Sequence, residues 1–192
     1  MDQFDDYYKN RLQALLRAAY ATRFVKDDNV PCQIEEDLFV GSIGAANNKA
    51  ALKRNNITRI LTVAGSMAPA YPNDFTYKVI EVADREDTDL CQYFDECIDF
   101  IEEAKRSGGG VFVHCFVGRS RSVTIILAYL IKKRGMILSQ ALEYVRSKRP
   151  QASPNAGFIK QLQKYEQSLR VSKTQESASQ PRNVPIEGCG EM

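Results

Sequence analysis

Strand-like and helix-like stretches alternate along this chain, which predicts an α/β fold: a single domain with a central, mostly parallel sheet of about five strands, flanked by helices. Three observations carry that expectation. Residues 57–63 and 75–82 alternate apolar and polar side chains, as half-buried strands do. The apolar run 111–113 leads in as a short buried strand, and 123–131 leads out with the length and apolar density of a core helix. A chain of 192 residues at 44% hydrophobic composition suffices for one ordinary core with short extensions.

Along the chain, residues 4–26 set Phe4, Tyr8, Leu12, Leu15, Ala19 and Tyr20 at helical spacing with Lys9, Arg11, Arg17, Arg23 and Lys26 between them. Residues 1–28 therefore read as a basic amphipathic helix. Its apolar stripe suits packing on the rest of the chain, and the competing reading is a detachable helix of the calmodulin-target kind. Asn29, Val30 and Pro31 break it, and 34–41 forms a hairpin or two short strands around Glu35 to Asp37. Residues 42–55 read as a helix. The strands at 57–63 and 75–82 are separated by a polar loop containing Pro69 and Pro72. Leu90, Phe94, Ile98 and Ile101 space a helix that stops at Gly108, with Cys97 as packing inside it. The core helix from Ser122 ends at Gly135, Ser139 caps the next helix, which ends at Pro150, and Phe158, Leu162 and Leu169 mark the last one. Ser, Gln, Pro and Gly then dominate, so the body of the chain spans 29–170 and 171–192 form a disordered tail.

Charge and cysteine usage exclude several classes. A net charge of +2 gives no global push toward nucleic acid. No apolar run is long enough to cross a bilayer, and Asp2, Asp5 and Asp6 near Met1 are unlike a signal peptide. The expected location is the cytoplasm, with the nucleus also open. The five cysteines, at 32, 91, 97, 115 and 189, show no paired spacing, which fits free thiols in a reducing compartment. One histidine and scattered cysteines do not assemble zinc spacing, so no metal or organic cofactor is expected. Cys189 stands fourth from the end, but Gly190 and Glu191 are not aliphatic, so lipidation is not expected.

Chemistry concentrates at residues 113–122, Val-His-Cys-Phe-Val-Gly-Arg-Ser-Arg-Ser, between the predicted strand and the core helix. A loop at a helix N-terminus turns free backbone N–H groups and the positive end of the helix dipole toward one point, which makes an anion site. Those amides and the fixed charge of Arg121 favour thiolate over thiol at Cys115. Arg121 offers a planar fork that can hold two oxygens of a phosphate. Gly118 can take a positive φ and curl the loop amides inward. A buried cysteine alone is more often a small hydrophobe, but five specified positions inside one strand-to-helix turn argue for a nucleophile. His114, the only histidine, reads as a core imidazole rather than a general base. Upstream, residues 82–90 place Asp84, Glu86, Asp87 and Asp89 in a loop between strand and helix, where a carboxyl can act as general acid. Asp87 and Asp89 also suit a helix N-terminus.

The pattern His-Cys-x-x-Gly-x-x-Arg-Ser at 114–122 resembles the signature of the cysteine-dependent protein phosphatases. Arg119-Ser120-Arg121-Ser122 and Ser153-Pro154-Asn155 resemble the compact dual-specificity branch, and over residues 30–170 the wording is most similar to small plant dual-specificity phosphatases of the MAP kinase phosphatase type. The resemblance implies a protein tyrosine phosphatase-like fold and a catalytic domain at 29–170. It implies hydrolysis of phosphotyrosine and phosphoserine or phosphothreonine through a phosphocysteine, on a MAP kinase as phosphoprotein substrate. Cys115 would be the nucleophile, Arg121 the phosphate clamp, and Ser122 the donor that eases departure of the thiolate. Phe116, Val117, Gly118, Arg119 and Ser120 would line the phosphate cradle. Placement before Tyr93-Phe94 and Phe100-Ile101 selects Asp84 as general acid, and Asn155 would tie distant backbone to the loop. Calmodulin would be a partner of the N-terminal helix.

One departure from the pattern is Val117, where many relatives carry Ala, so the rim is bulkier. A domain this short lacks the rim elements that deepen the pocket of tyrosine-only phosphatases, which implies a shallow pocket. Arg119, Lys132 and Lys133 would either favour acidic or doubly phosphorylated segments or form a solvated face. Two alternatives stay open: the same chemistry on a phosphoinositide, phosphoglucan or RNA 5′-phosphate, and a non-catalytic phospho- or calmodulin-binding module.

Overall fold

The computed structural model describes residues 28–178. The basic segment before residue 28 and the end of the expected tail, 179–192, lie outside the described residues. Five strands form one sheet: β1 (Cys32–Glu35), β2 (Leu38–Gly41), β3 (Ile57–Val63), β4 (Thr76–Ile80) and β5 (Gly110–His114). Their spatial order is β1-β2-β5-β3-β4. Only the β1–β2 hairpin is antiparallel, and β5 lies between β2 and β3 with Val113 opposite both Val40 and Leu61. Every residue of β5 is buried, as the centre of a sheet covered on both faces requires.

The period of two sorts the strand residues between two apolar layers. Leu38, Val40, Leu61, Val63, Val111 and Val113 face the larger core, while Phe39, Ile60 and Phe112 face the smaller one. The smaller layer is closed by α1 (Ile43–Ala46) and α2 (Lys49–Arg54). The larger is closed by α3 (Phe94–Arg106), α4 (Arg121–Arg134), α5 (Leu138–Lys148) and α6 (Ala156–Ala178). All residues of α4 from Ser122 to Ile131 are buried, so α4 is the axis on which α3, α5 and α6 pack. A single-turn 3₁₀ segment, Cys91–Tyr93, leads into α3.

Three element expectations are corrected. The helix expected over 42–55 is two helices, because Asn48 acts as a second N-cap and accepts from the Ala51 amide at 3.0 Å. Ser139 does not cap α5. Ile137 holds that position, where Gln140 Oε1 accepts from its amide at 3.4 Å and Glu166 accepts from the Leu138 amide at 3.0 Å. The strand expected over 75–82 is confined to Thr76–Ile80. At the other end α6 runs to Ala178, into the first residues of the segment that composition marks as tail.

Candidate active site

β5 stops at His114, and the chain turns through residues 115–120 into α4. This turn is fixed by its carbonyls. That of Phe116 accepts from the Ile43 amide at 3.1 Å, and that of Arg119 from the Ser153 amide at 2.8 Å. Between them, the Val117 and Gly118 carbonyls accept from Arg149, at 3.4 and 2.7 Å. In a trans peptide the N–H points opposite to the carbonyl before it. Four outward carbonyls therefore turn the amides of Val117, Gly118, Arg119 and Ser120 inward. The Gly118 amide donates to Cys115 Sγ at 3.2 Å.

Gly118 permits the curl. Its φ is +68°, and a Cβ there would lie 2.4 Å from the Gly41 backbone and 2.6 Å from Arg149 Nη2. Cys115 is 1% exposed, and Ser122 Oγ lies 3.2 Å from its sulfur. An inward amide, a hydroxyl and the positive end of α4 thus converge on one sulfur, an arrangement that stabilises negative charge there.

The expected carboxylate reaches the same place from the loop after β4. Asp84 Oδ1 accepts from Ser120 Oγ at 2.7 Å and from Asn155 Nδ2 at 2.9 Å, and its Oδ2 stands 3.5 Å from Arg121 Nε. Arg121 Nη1 donates to the Val82 carbonyl at 3.1 Å, while its buried Nε makes no hydrogen bond among the described residues. A buried donor of this kind, beside an anion cradle, suits a phosphoryl oxygen. Asp87 is turned away and pairs with the exposed Arg85 at 2.7 Å. Asp89 accepts from the Gln92 amide at the start of the 3₁₀ segment. The structure therefore brings Asp84, and not Asp87 or Asp89, to the loop.

His114 is 3% exposed and sits behind the site, with Nε2 2.8 Å from Thr62 Oγ1 and Nδ1 3.3 Å from the Cys115 carbonyl. Burial pushes its pKa down to about 4, so it is a neutral structural imidazole at ordinary pH. A cleft of about 770 Å³ opens over the loop, walled among others by Ile43, Met67, Val82, Asp84, Phe116 and Arg121. Lys132 and Lys133 do not line it. They end α4 in pairs with Asp95 at 2.8 Å and Glu102 at 3.5 Å, and Arg119 donates to the Gln151 carbonyl at 3.1 Å. Lys132 and Lys133 thus belong to a paired helix face away from the cleft.

The description "Dual specificity phosphatase, catalytic domain" matches residues 38–168. The chain belongs to the dual specificity phosphatase family. As a member it is a cysteine-based hydrolase of phosphoproteins. It is 60% identical to Dual specificity protein phosphatase 1 of Arabidopsis thaliana over 172 residues, 90% of this chain and 87% of that protein. It is 42% identical to MAP kinase phosphatase with leucine-rich repeats protein 3 of Dictyostelium discoideum, over 73% of this chain and 16% of that longer protein. Among solved structures, the human tyrosine phosphatase-like serine/threonine/tyrosine-interacting protein superposes with a TM-score of 0.71 at 31% identity, covering 73% of this phosphatase and 97% of that chain.

Two parts of this phosphatase's site escape a sequence reading. Arg149 reads only as the residue before a helix-ending proline, yet it is 3% exposed and holds two loop carbonyls. Gln161 reads as one polar position of a helix, yet its Oε1 accepts from the Leu90 and Cys91 amides at 2.9 Å each, and its Nε2 donates to the Thr88 carbonyl at 2.8 Å. Neither side chain carries a local signal, because each partner lies more than 30 residues away.

Proposed function

We propose that Cys115, Arg121, Asp84 and Ser122 carry out the hydrolysis in two steps, and that the substrate is an activated MAP kinase. In the first step the Cys115 thiolate attacks phosphorus and the P–O bond to the substrate residue breaks. Asp84 gives its proton to the leaving oxygen, without which a serine or threonine alkoxide leaves poorly. The inward amides of residues 117–120 and the Arg121 fork hold the three phosphoryl oxygens as charge develops on them. In the second step water attacks the phosphocysteine, Asp84 takes a proton from that water, and inorganic phosphate and the thiolate are released. Ser122 stabilises the departing sulfur with a hydrogen bond. His114 and Asn155 support the geometry and take no part in the bond changes.

The observation that carries this reading is the meeting at one loop of a sulfur with an amide and a hydroxyl at 3.2 Å and of a carboxylate 3.5 Å from the signature arginine. The substrate proposal is supported by the name of the Dictyostelium relative. Steady-state hydrolysis of an aryl phosphate, with chelator present, tests the chemistry. Cys115→Ser is expected to abolish turnover, and Asp84→Asn to lower kcat about 100-fold or more. Retained turnover in Cys115→Ser overturns the mechanism. Doubly phosphorylated activation-loop peptides, set against singly phosphorylated controls and a phosphoinositide, test the substrate class.

A further inference from the structure

We propose that Asp28 and Arg149 form a positioning pair for the phosphate-binding loop, acting on the reaction through the carbonyls of Val117 and Gly118. The inference rests on that loop being the reaction centre. Arg149 is 3% exposed and makes four hydrogen bonds in two directions. Toward the loop, its Nε donates to the Gly118 carbonyl at 2.7 Å and its Nη2 to the Val117 carbonyl at 3.4 Å. Away from the loop, Nη1 and Nη2 donate to the two Asp28 oxygens at 3.2 and 2.6 Å. Asp28 is itself fixed, because its carbonyl accepts from Ser42 Oγ at 2.9 Å and the next carbonyl, of Asn29, accepts from Asn48 Nδ2 at 2.8 Å.

A buried ion pair is a poor way to gain stability, since well-packed apolar residues often do as well or better. What apolar residues do not supply is a planar fork that donates to two successive carbonyls at once. Those two carbonyls belong to the peptide units whose N–H groups are Gly118 and Arg119. Holding the oxygens outward therefore holds these N–H groups inward, one of them already on the Cys115 sulfur. Asp28 neutralises the guanidinium and sets its plane. The pair connects Asp28, ahead of β1, to the cradle from outside the cleft.

The test uses the full chain, with hydrolysis of an aryl phosphate, competitive inhibition by tungstate, and the melting temperature measured side by side. Arg149→Lys keeps a cation for Asp28 but offers one nitrogen instead of a fork. It is expected to lower kcat/KM and weaken tungstate binding tenfold or more, with the melting temperature changed by only a few degrees. Asp28→Asn is expected to lose threefold or more on both readouts, and the double variant to be no worse than Arg149→Lys alone, because Asp28 acts through Arg149. Tungstate affinity within twofold of wild type in folded Arg149→Lys overturns the proposal, and so do additive losses in the double variant. If Arg149→Lys fails to fold, Asp28→Asn decides, and unchanged tungstate affinity there overturns it. Cys115→Ser separates the two layers. If it retains turnover the reaction centre itself is wrong, whereas an inactive Cys115→Ser beside an undisturbed Arg149→Lys refutes the positioning pair alone.

Discussion

At the scale of single residues, His114 ties the site to the pH dependence of the fold. Its ring stacks on Phe112 with centroids 5.4 Å apart, inside a strand buried on both faces. Burial lowers its pKa from the ordinary 6.5 to about 4, so between those values the unfolded chain binds a proton that the folded chain refuses. The stability associated with neutral His114 is therefore complete above about pH 6.5 and is lost as pH falls toward 4. A difference of that size corresponds to about 3 kcal/mol. Carboxylates with lowered pKa add a slope of the same sign. At Glu35 burial raises the pKa, but the bonds and charges of Arg134 and Lys105 outweigh it. At Asp95 the bonds from Lys132 and Tyr165 lower it. Denaturant titrations at pH 7 and pH 5 are expected to show wild type losing more stability than His114→Gln, in which only the carboxylate slope remains. Equal losses would remove the imidazole from the account.

Among the elements, α4 begins and ends beside glycines that share a backbone conformation and differ in surroundings. Gly135 caps its C-terminus at φ +65° with no atom within 4 Å of a built Cβ, whereas Gly118, at φ +68°, is hemmed in by Gly41 and Arg149. Gly135→Ala is thus expected to cost only the left-handed strain of about 1 kcal/mol, lowering the melting temperature by a few degrees and leaving kcat/KM unchanged. Gly118→Ala adds a backbone collision and is expected to lower kcat/KM by about 100-fold or more, because loss of one preorganised oxyanion donor alone is worth about 100-fold. A scanning melt and an aryl phosphate assay on both variants check the contrast. The stop at Gly135 was legible from sequence because a C-terminal glycine acts locally. The sheet was legible because 57–63 and 75–82 alternate while the continuous apolar run of β5 passes into a long apolar helix, signals that each segment carries locally. The break at Asn48 and the true start of α5 at Leu138 were not, since the side chains that settle them compete with an equally helical local pattern.

For the whole molecule, the nucleophile loop and the acid loop come from different strands and meet because one corner of the fold grips both. The signature at 114–122 was legible as a compact word, and Asp84 only through the family resemblance that places it ahead of Tyr93-Phe94 and Phe100-Ile101, since nothing local says which carboxylate turns inward. Of the corner itself, the sequence marked only Ser153-Pro154-Asn155, and that by resemblance. Asn155, just before α6, donates to Asp84, and the Ser153 amide donates to the Arg119 carbonyl of the other loop. One turn into α6, Gln161 holds the Thr88, Leu90 and Cys91 backbone, and Gly157 lies so close to the acid loop that a Cβ would sit 2.0 Å from the Glu86 carbonyl. Gln161→Ala frees the far end of the acid loop without touching the sulfur or the cradle. The damage should then fall on proton delivery and scale with how much the leaving group needs it. kcat/KM for an activated aryl phosphate is expected to stay within about twofold, and for phosphoserine or phosphothreonine peptides to fall about tenfold. Plotted against leaving-group pKa, log kcat/KM should slope more steeply for the variant than for wild type. A parallel downward shift of the whole line would mean that α6 supports the cradle and not the acid.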